Sequence, residues 1–209
     1  KSTIASLIMK TLSGYAGSIS VGGVPLENIR EDCLYQKITR IRHDSYLFGG
    51  TVEENLRMGN EHAPEEALFN ALREVDLYDT IMEKGGLSMV IEEKAANLSG
   101  GQKQRLCLAR AILHDSDIYI FDEATSNIDV ESENKIMEVV ERLAKTKTVI
   151  LISHRLANVV HADQILVLED GRISQQGTHG ALMAGGGYYS RLYTRQKQLE
   201  NYSGKAVAQ

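Results

Sequence analysis

Tryptophan is absent from the 209 residues, and cysteine and proline occur only twice each. Cys33 and Cys107 stand far apart without partners at metal-ligand spacing, which argues against a disulfide scaffold and a zinc site and fits a reducing compartment. No apolar run approaches the roughly 20 residues of a membrane-spanning helix, and no signal peptide is visible. Basic runs are missing too. The 23 Lys and Arg against 28 Asp and Glu leave a formal net charge of −5, so nothing points to a nucleic-acid groove. There is no internal repeat or low-complexity segment. The length suits one domain with a real core.

What is present is an alternation. Ile38–Ile41 reads as a short buried strand, the runs at 118–121 and 148–152 read as buried strands too, and stretches at 4–12, 63–84, 102–114 and 130–145 read as helices, with 63–84 expected to split in two. A strand at 17–21 meets the turn Gly22-Gly23, and 162–173 reads as two strands joined by Glu169-Asp170-Gly171. Thr178 is a plausible N-cap for a final helical region, and the small, polar tail from Ser203 is expected to be disordered. Strands alternating with helices predict an α/β fold with a mostly parallel sheet.

Three stretches carry chemistry. Asn97–Arg105 reads N-L-S-G-G-Q-K-Q-R: a Ser hydroxyl and two glycines open a helix, an arrangement suited to meeting an anion such as a phosphate. At 118–123, I-Y-I-F-D-E is a buried strand with two carboxylates, Asp122 and Glu123, at its C-terminal end, where open α/β sheets bind ligands. Adjacent carboxylates repel unless a cation or different roles separate them. The strand at 148–152 ends in Ser153-His154-Arg155.

As an ordered set these motifs resemble the nucleotide-binding domain of ATP-binding cassette (ABC) transporters. L-S-G-G-Q resembles the family's signature, I-Y-I-F-D-E its Walker B motif, S-N-I-D at 126–129 its D-loop and Ser153-His154-Arg155 its H-loop. Lys1-Ser2-Thr3 resembles the end of a P-loop, G-x-x-x-x-G-K-S-T, whose glycines would lie upstream; the chain is therefore expected to be a fragment of a longer one, cut within that motif. The stretch His43–Leu56 is similar to the Q-loop region of the exporter branch, matching at Asp44, Leu47, Phe48, Thr51, Glu54 and Asn55, with His43 in place of the usual Gln. A neutral imidazole is able to ligate a metal or hold a water; the alternative is that His43 only fills space. Glu92–Asn97 matches weakly a segment that touches the membrane domain in exporters, with Ala95 in place of the usual Gly; a solvated charged loop is the other reading.

The resemblance implies a P-loop NTPase (RecA-like) core with an inserted α-helical signature subdomain: core about 1–50 and 115–176, helical subdomain about 51–114, C-terminal helices about 178–200. It implies an ATPase, with ATP and Mg²⁺ as cofactors; a cut within the P-loop is a reason for the fragment itself to be inactive. Glu123 is the expected general base and His154 the residue that orients the water. Lys1, Ser2, Thr3, His43, Ser99, Gly100, Gly101, Gln102 and Asp129 are the expected ATP contacts, and Ser2, Asp122 and His43 the metal ligands. Asp129 also reads as the N-cap of the following helix, and both roles hold together. Implied partners are a second cassette, as homo- or heterodimer, and a transmembrane domain fused upstream, at the cytoplasmic face of the membrane. The alternatives are a degenerate cassette of a heterodimeric transporter and an ABC ATPase without a membrane partner.

Overall fold

A three-stranded parallel sheet forms the centre of the larger unit, and helices pack on both of its faces. The computed structural model describes the backbone of residues 1–206 and the side chains of residues 1–200. The chain divides into two units, Ser2–Ile152 and the remainder from Ser153 together with Lys1.

The first unit runs α1 (Ser2–Ile8), β1 (Ser20–Val21), β2 (Val24–Pro25), α2 (Glu31–Lys37), β3 (Ile38–Arg42), β4 (Gly50–Thr51), α3 (Val52–Arg57), α4 (Glu65–Glu74), α5 (Tyr78–Glu83), β5 (Val90–Ile91), α6 (Gly100–His114), β6 (Ile118–Asp122), α7 (Val130–Ala144) and β7 (Thr148–Ile152). The central sheet has the order β3-β6-β7, all parallel. Strand alternation sorts its side chains. Ile118 and Ile120 join Ala5 of α1 and Leu34 of α2 on one face. Tyr119 and Phe121 join α6, α7 and the α3–α5 helices on the other.

The expected pair of helices at 63–84 is α4 and α5, and α4 buries Leu68, Ala71 and Leu72 at helical spacing. The first helix is shorter than the expected 4–12, ending at Ile8. The Ser6 carbonyl takes hydrogen bonds from the Thr11 and Leu12 N–H groups, and Lys10 adopts φ 56°, which closes the helix.

The exporter-like stretch proves to be a capping device. Thr51 Oγ1 accepts from the Glu54 N–H at 3.1 Å, and Glu54 Oε2 accepts from the Thr51 N–H at 2.7 Å, a reciprocal box that starts α3. Asn55, 1% exposed, pairs its amide with both the N–H and the C=O of Phe48, at 2.9 Å each. The spacing of Phe48, Thr51, Glu54 and Asn55 thus fixes how the loop after β3 returns to the core.

The second unit holds the antiparallel hairpin β8 (Ile165–Glu169) and β9 (Arg172–Gly177), then α8 (His179–Ala184) and α9 (Tyr188–Ala206). Its core is Ile165, Val167, Leu182 and Tyr189. Thr178 caps α8 as expected, accepting from the Ala181 N–H. The expected disorder from Ser203 is overturned as far as Ala206, because α9 continues that far; 207–209 lie outside the described residues. No helix among the described residues is long and apolar enough to cross a membrane.

Candidate functional site

The site is built where the parallel strands end together. Register pairs Arg42 with Asp122 and Asp122 with Ile152, so His43 and Glu123 leave adjacent strands at the same C-terminal edge. On the α1 face of the sheet, Ser2 Oγ donates to Asp122 Oδ1 at 2.8 Å. Two residues separated by most of the unit, singled out on separate motifs, are in contact.

The other carboxylate oxygen is engaged by a residue the motifs do not mention. The Arg40 guanidinium, on β3, donates to Asp122 Oδ2 at 2.5 Å, with side chains only 13% and 4% exposed. Burial pushes the Asp122 carboxyl up, but the hydrogen bonds from Arg40 and Ser2 and the charges of Arg40 and Arg42 outweigh it and hold the group below the ordinary carboxylate range. The sequence carried one signal for this: an arginine inside a buried strand needs an acceptor.

Glu123 follows directly. It is half-buried and sits at φ 55°, a left-handed conformation that costs a non-glycine residue about 1–3 kcal/mol. Its N–H donates to the Ile152 carbonyl at 2.9 Å and its carbonyl accepts from Ser126 N–H at 3.0 Å, which over-determine the turn. The turn breaks the strand's two-residue alternation immediately after Asp122.

Ser99 caps α6. Its Oγ accepts from the Gln102 N–H and its own N–H donates to Gln102 Oε1, both at 3.1 Å. A hydroxyl that accepts one bond still carries a proton to donate. The Gln102 side chain is engaged within this box. Gly101 is buried for a packing reason that the motif alone does not reveal. A Cβ there would overlap Ser132 of α7 and come within 2.9 Å of Asp129 Oδ2. Gly100 has open space above it, with only Ile128 at 4.0 Å. Asp129 caps α7, accepting from the Ser132 N–H at 2.8 Å; that bond holds its carboxyl below the usual range. One corner therefore joins the start of α6 to the start of α7.

His43 is exposed and makes no hydrogen bond among the described residues; it is not brought onto Ser2 or Asp122. The carbonyl of Arg42, its neighbour, accepts from the buried Gln104 of α6 at 2.8 Å, which anchors the loop at its base. Thr3 is exposed on α1. In the second unit, Lys1 Nζ lies 3.5 Å from His154 Nδ1. The backbone around His154 is clamped by Gln196 of α9, whose amide donates to the His154 carbonyl at 2.6 Å and accepts from the Leu156 N–H at 2.9 Å. No short motif marks Gln196.

The chain has known counterparts in sequence and in fold. A family model described as ABC transporter matches residues 1–126. An uncharacterized ABC transporter ATP-binding protein of Haemophilus influenzae is 46% identical over 96% of this chain and 36% of its own length. An ATP-dependent lipid A-core flippase of Neisseria meningitidis is 40% identical over 92% of this chain and 31% of its own. The solved structure of a bacterial Atm1-family ABC exporter with ATP bound superposes with a TM-score of 0.87 at 32% identity, over 94% of this chain and 34% of that one. The chain spans about a third of the length of the relatives it matches. With the motifs in order and the parallel sheet beneath them, the chain belongs to the ABC transporter family.

Proposed function

We propose that this chain is the ATP-binding and hydrolysing portion of an ABC exporter, coupling ATP turnover to movement of a substrate across a membrane. The observation that carries the reading is the Ser2–Asp122 contact at the C-terminal edge of the sheet, with Glu123 as the next residue. Its donor set fits a hard divalent cation: a hydroxyl and a carboxylate oxygen 2.8 Å apart. Ser2 and Asp122 would hold Mg²⁺, which would supply charge neutralisation for the phosphates. Lys1 adds positive charge for the phosphates, and Thr3 adds a hydroxyl. Glu123 takes the proton of the attacking water, and His154 keeps the water-orienting role that the family resemblance assigns to it. His43 stands in the Q-loop position beside Glu123 at the sheet edge and contributes a water or metal contact there.

The Ser99, Gly100 and Gly101 corner, with Gln102 and Asp129 behind it, serves the nucleotide of a second cassette, in a head-to-tail dimer. The helices between 51 and 114 serve as the signature subdomain, residues 1–50 and 115–176 as the core, and 178–200 as C-terminal helices. Relatives about three times longer than this chain support a transmembrane domain in the same polypeptide, with the cassette working at the cytoplasmic membrane face. The exposed Tyr46–Phe48 pair, in edge contact at 5.0 Å, suits an apolar partner segment there.

The test is Mg-ATP turnover by the full-length protein beside its Glu123→Gln variant. Loss of a general base costs on the order of 10²–10⁴ in rate. Collapse of turnover with retained ATP binding supports the reading. A second reading, a cassette that binds ATP but turns it over slowly beside an intact partner, is favoured by the guanidinium on Asp122 and by His43. It predicts negligible turnover in the unmodified homodimer.

A further inference from the structure

Arg40 is out of place for a strand buried on both faces. Its side chain lies under α1, where Nη1 donates to Ser6 Oγ at 2.9 Å and Nη2 to the Ser2 carbonyl at 3.5 Å as well as to Asp122. Its Nε is buried with no acceptor. The guanidinium is thus held by the carboxylate pair and two contacts to α1 rather than by a complete hydrogen-bond set. A guanidinium does not give up its proton in a protein, so the charge is permanent.

The consequence is electrostatic. Asp122 contributes one negative charge to the place where the nucleotide reading puts a divalent cation, and Arg40 has already neutralised it. A cation arriving at Ser2 Oγ and Asp122 Oδ1 meets a like charge bound to the other oxygen of the same carboxylate. The buried surroundings screen that repulsion poorly. With Asp122 neutralised in this way, the phosphates meet no uncompensated carboxylate there when no metal is bound.

We propose that Arg40 is a resident counter-cation at Asp122, a positioning residue that competes with the divalent cation and lowers the metal dependence of nucleotide binding. The inference rests on the nucleotide reading above and is tested separately from it. The full-length protein is titrated with a fluorescent ATP analogue in Mg²⁺ and in EDTA. Mn²⁺ binding is followed by electron paramagnetic resonance with a non-hydrolysable ATP analogue present.

The unmodified protein is expected to lose less than about tenfold in nucleotide affinity in EDTA; a larger loss overturns the proposal. Arg40→Gln is expected to bind Mn²⁺ about tenfold more tightly or better, and Arg40→Lys to stay within about threefold of the unmodified protein. A merely structural role would weaken both nucleotide affinities and leave their ratio unchanged, which overturns the proposal, as would equal gains in the Gln and Lys variants. If Arg40→Gln does not fold, the EDTA comparison on the unmodified protein decides. Absence of nucleotide binding in both conditions overturns the nucleotide reading and this inference with it. Binding with an unchanged ratio in Arg40→Gln overturns this inference alone.

Discussion

Arg40 reaches Asp122 diagonally across two parallel strands. Its Cα is paired with Ile120, and its guanidinium closes on the carboxylate two residues further along at 2.5 Å. The pair fastens α1, β3 and β6 at one point, because Ser2 and Ser6 share it.

Removing one partner of a buried ion pair leaves an uncompensated charge. Asp122→Asn should therefore destabilise the domain by about 3–5 kcal/mol in urea unfolding, and Arg40→Met in the same background should recover much of it. The pH dependence follows from the depressed folded-state pKa. The carboxylate's contribution is present above its ordinary value of 3.8 and is lost as pH falls through the lower folded value. Acid titration of unfolding free energy should show this loss in the unmodified protein and lack it in the double variant.

Gly101 marks a close approach of two helix starts. Gly101→Ala should lower stability by about 1–3 kcal/mol, because the methyl group meets Ser132 and Asp129. Ser132→Gly added to it should restore part of the loss in thermal unfolding. Equal melting temperatures for the single variant and the unmodified domain would contradict the packing account.

Ala95 is buried at φ 54°, a conformation that favours glycine. Ala95→Gly relieves this strain, partly offset by greater freedom in the unfolded chain. A net gain of about 0.5–1 kcal/mol in urea unfolding is expected. A loss would mean that burying the Ala95 methyl outweighs the backbone strain.

The two thiols differ in burial. Cys33 is exposed, whereas burial pushes the Cys107 thiol up to about 11, with Arg110 and Lys103 only partly opposing it. Peptide mapping after brief alkylation near pH 8 should find Cys33 modified and Cys107 unmodified, with both modified in denaturant. Modification of native Cys107 at the rate of Cys33 would refute the buried-thiolate argument.

Most secondary structure was legible because its signals are local. Thr51 and Glu54, Ser99 and Gln102, and Asp129 and Ser132 are each three apart, the spacing at which a cap meets the first turn of a helix. The strands at 118–122 and 148–152 are legible as short, nearly continuous apolar runs, whereas Ile38–Arg42 carries Thr39 and Arg40 in its middle. The structure departs from the local pattern at helix ends, where that pattern is weakest: α1 stops at Ile8, and α9 continues through 203–206. For the site, Ser2 and Asp122 are recognisable by motif, and the fold brings their side chains into hydrogen-bond contact.

By itself, the sequence carried the family resemblance, through motifs in a fixed order, and the parallel α/β architecture, through the alternation of strands and helices; it also placed an acidic pair at the end of a buried strand. Only the tertiary structure decided that Arg40 sits on Asp122, that Gly101 is small because Ser132 faces it, and that Gln196 clamps the backbone at His154. The reason is physical. Each of these depends on a contact between residues tens of positions apart, and its strength comes from burial and register, neither of which a local pattern encodes.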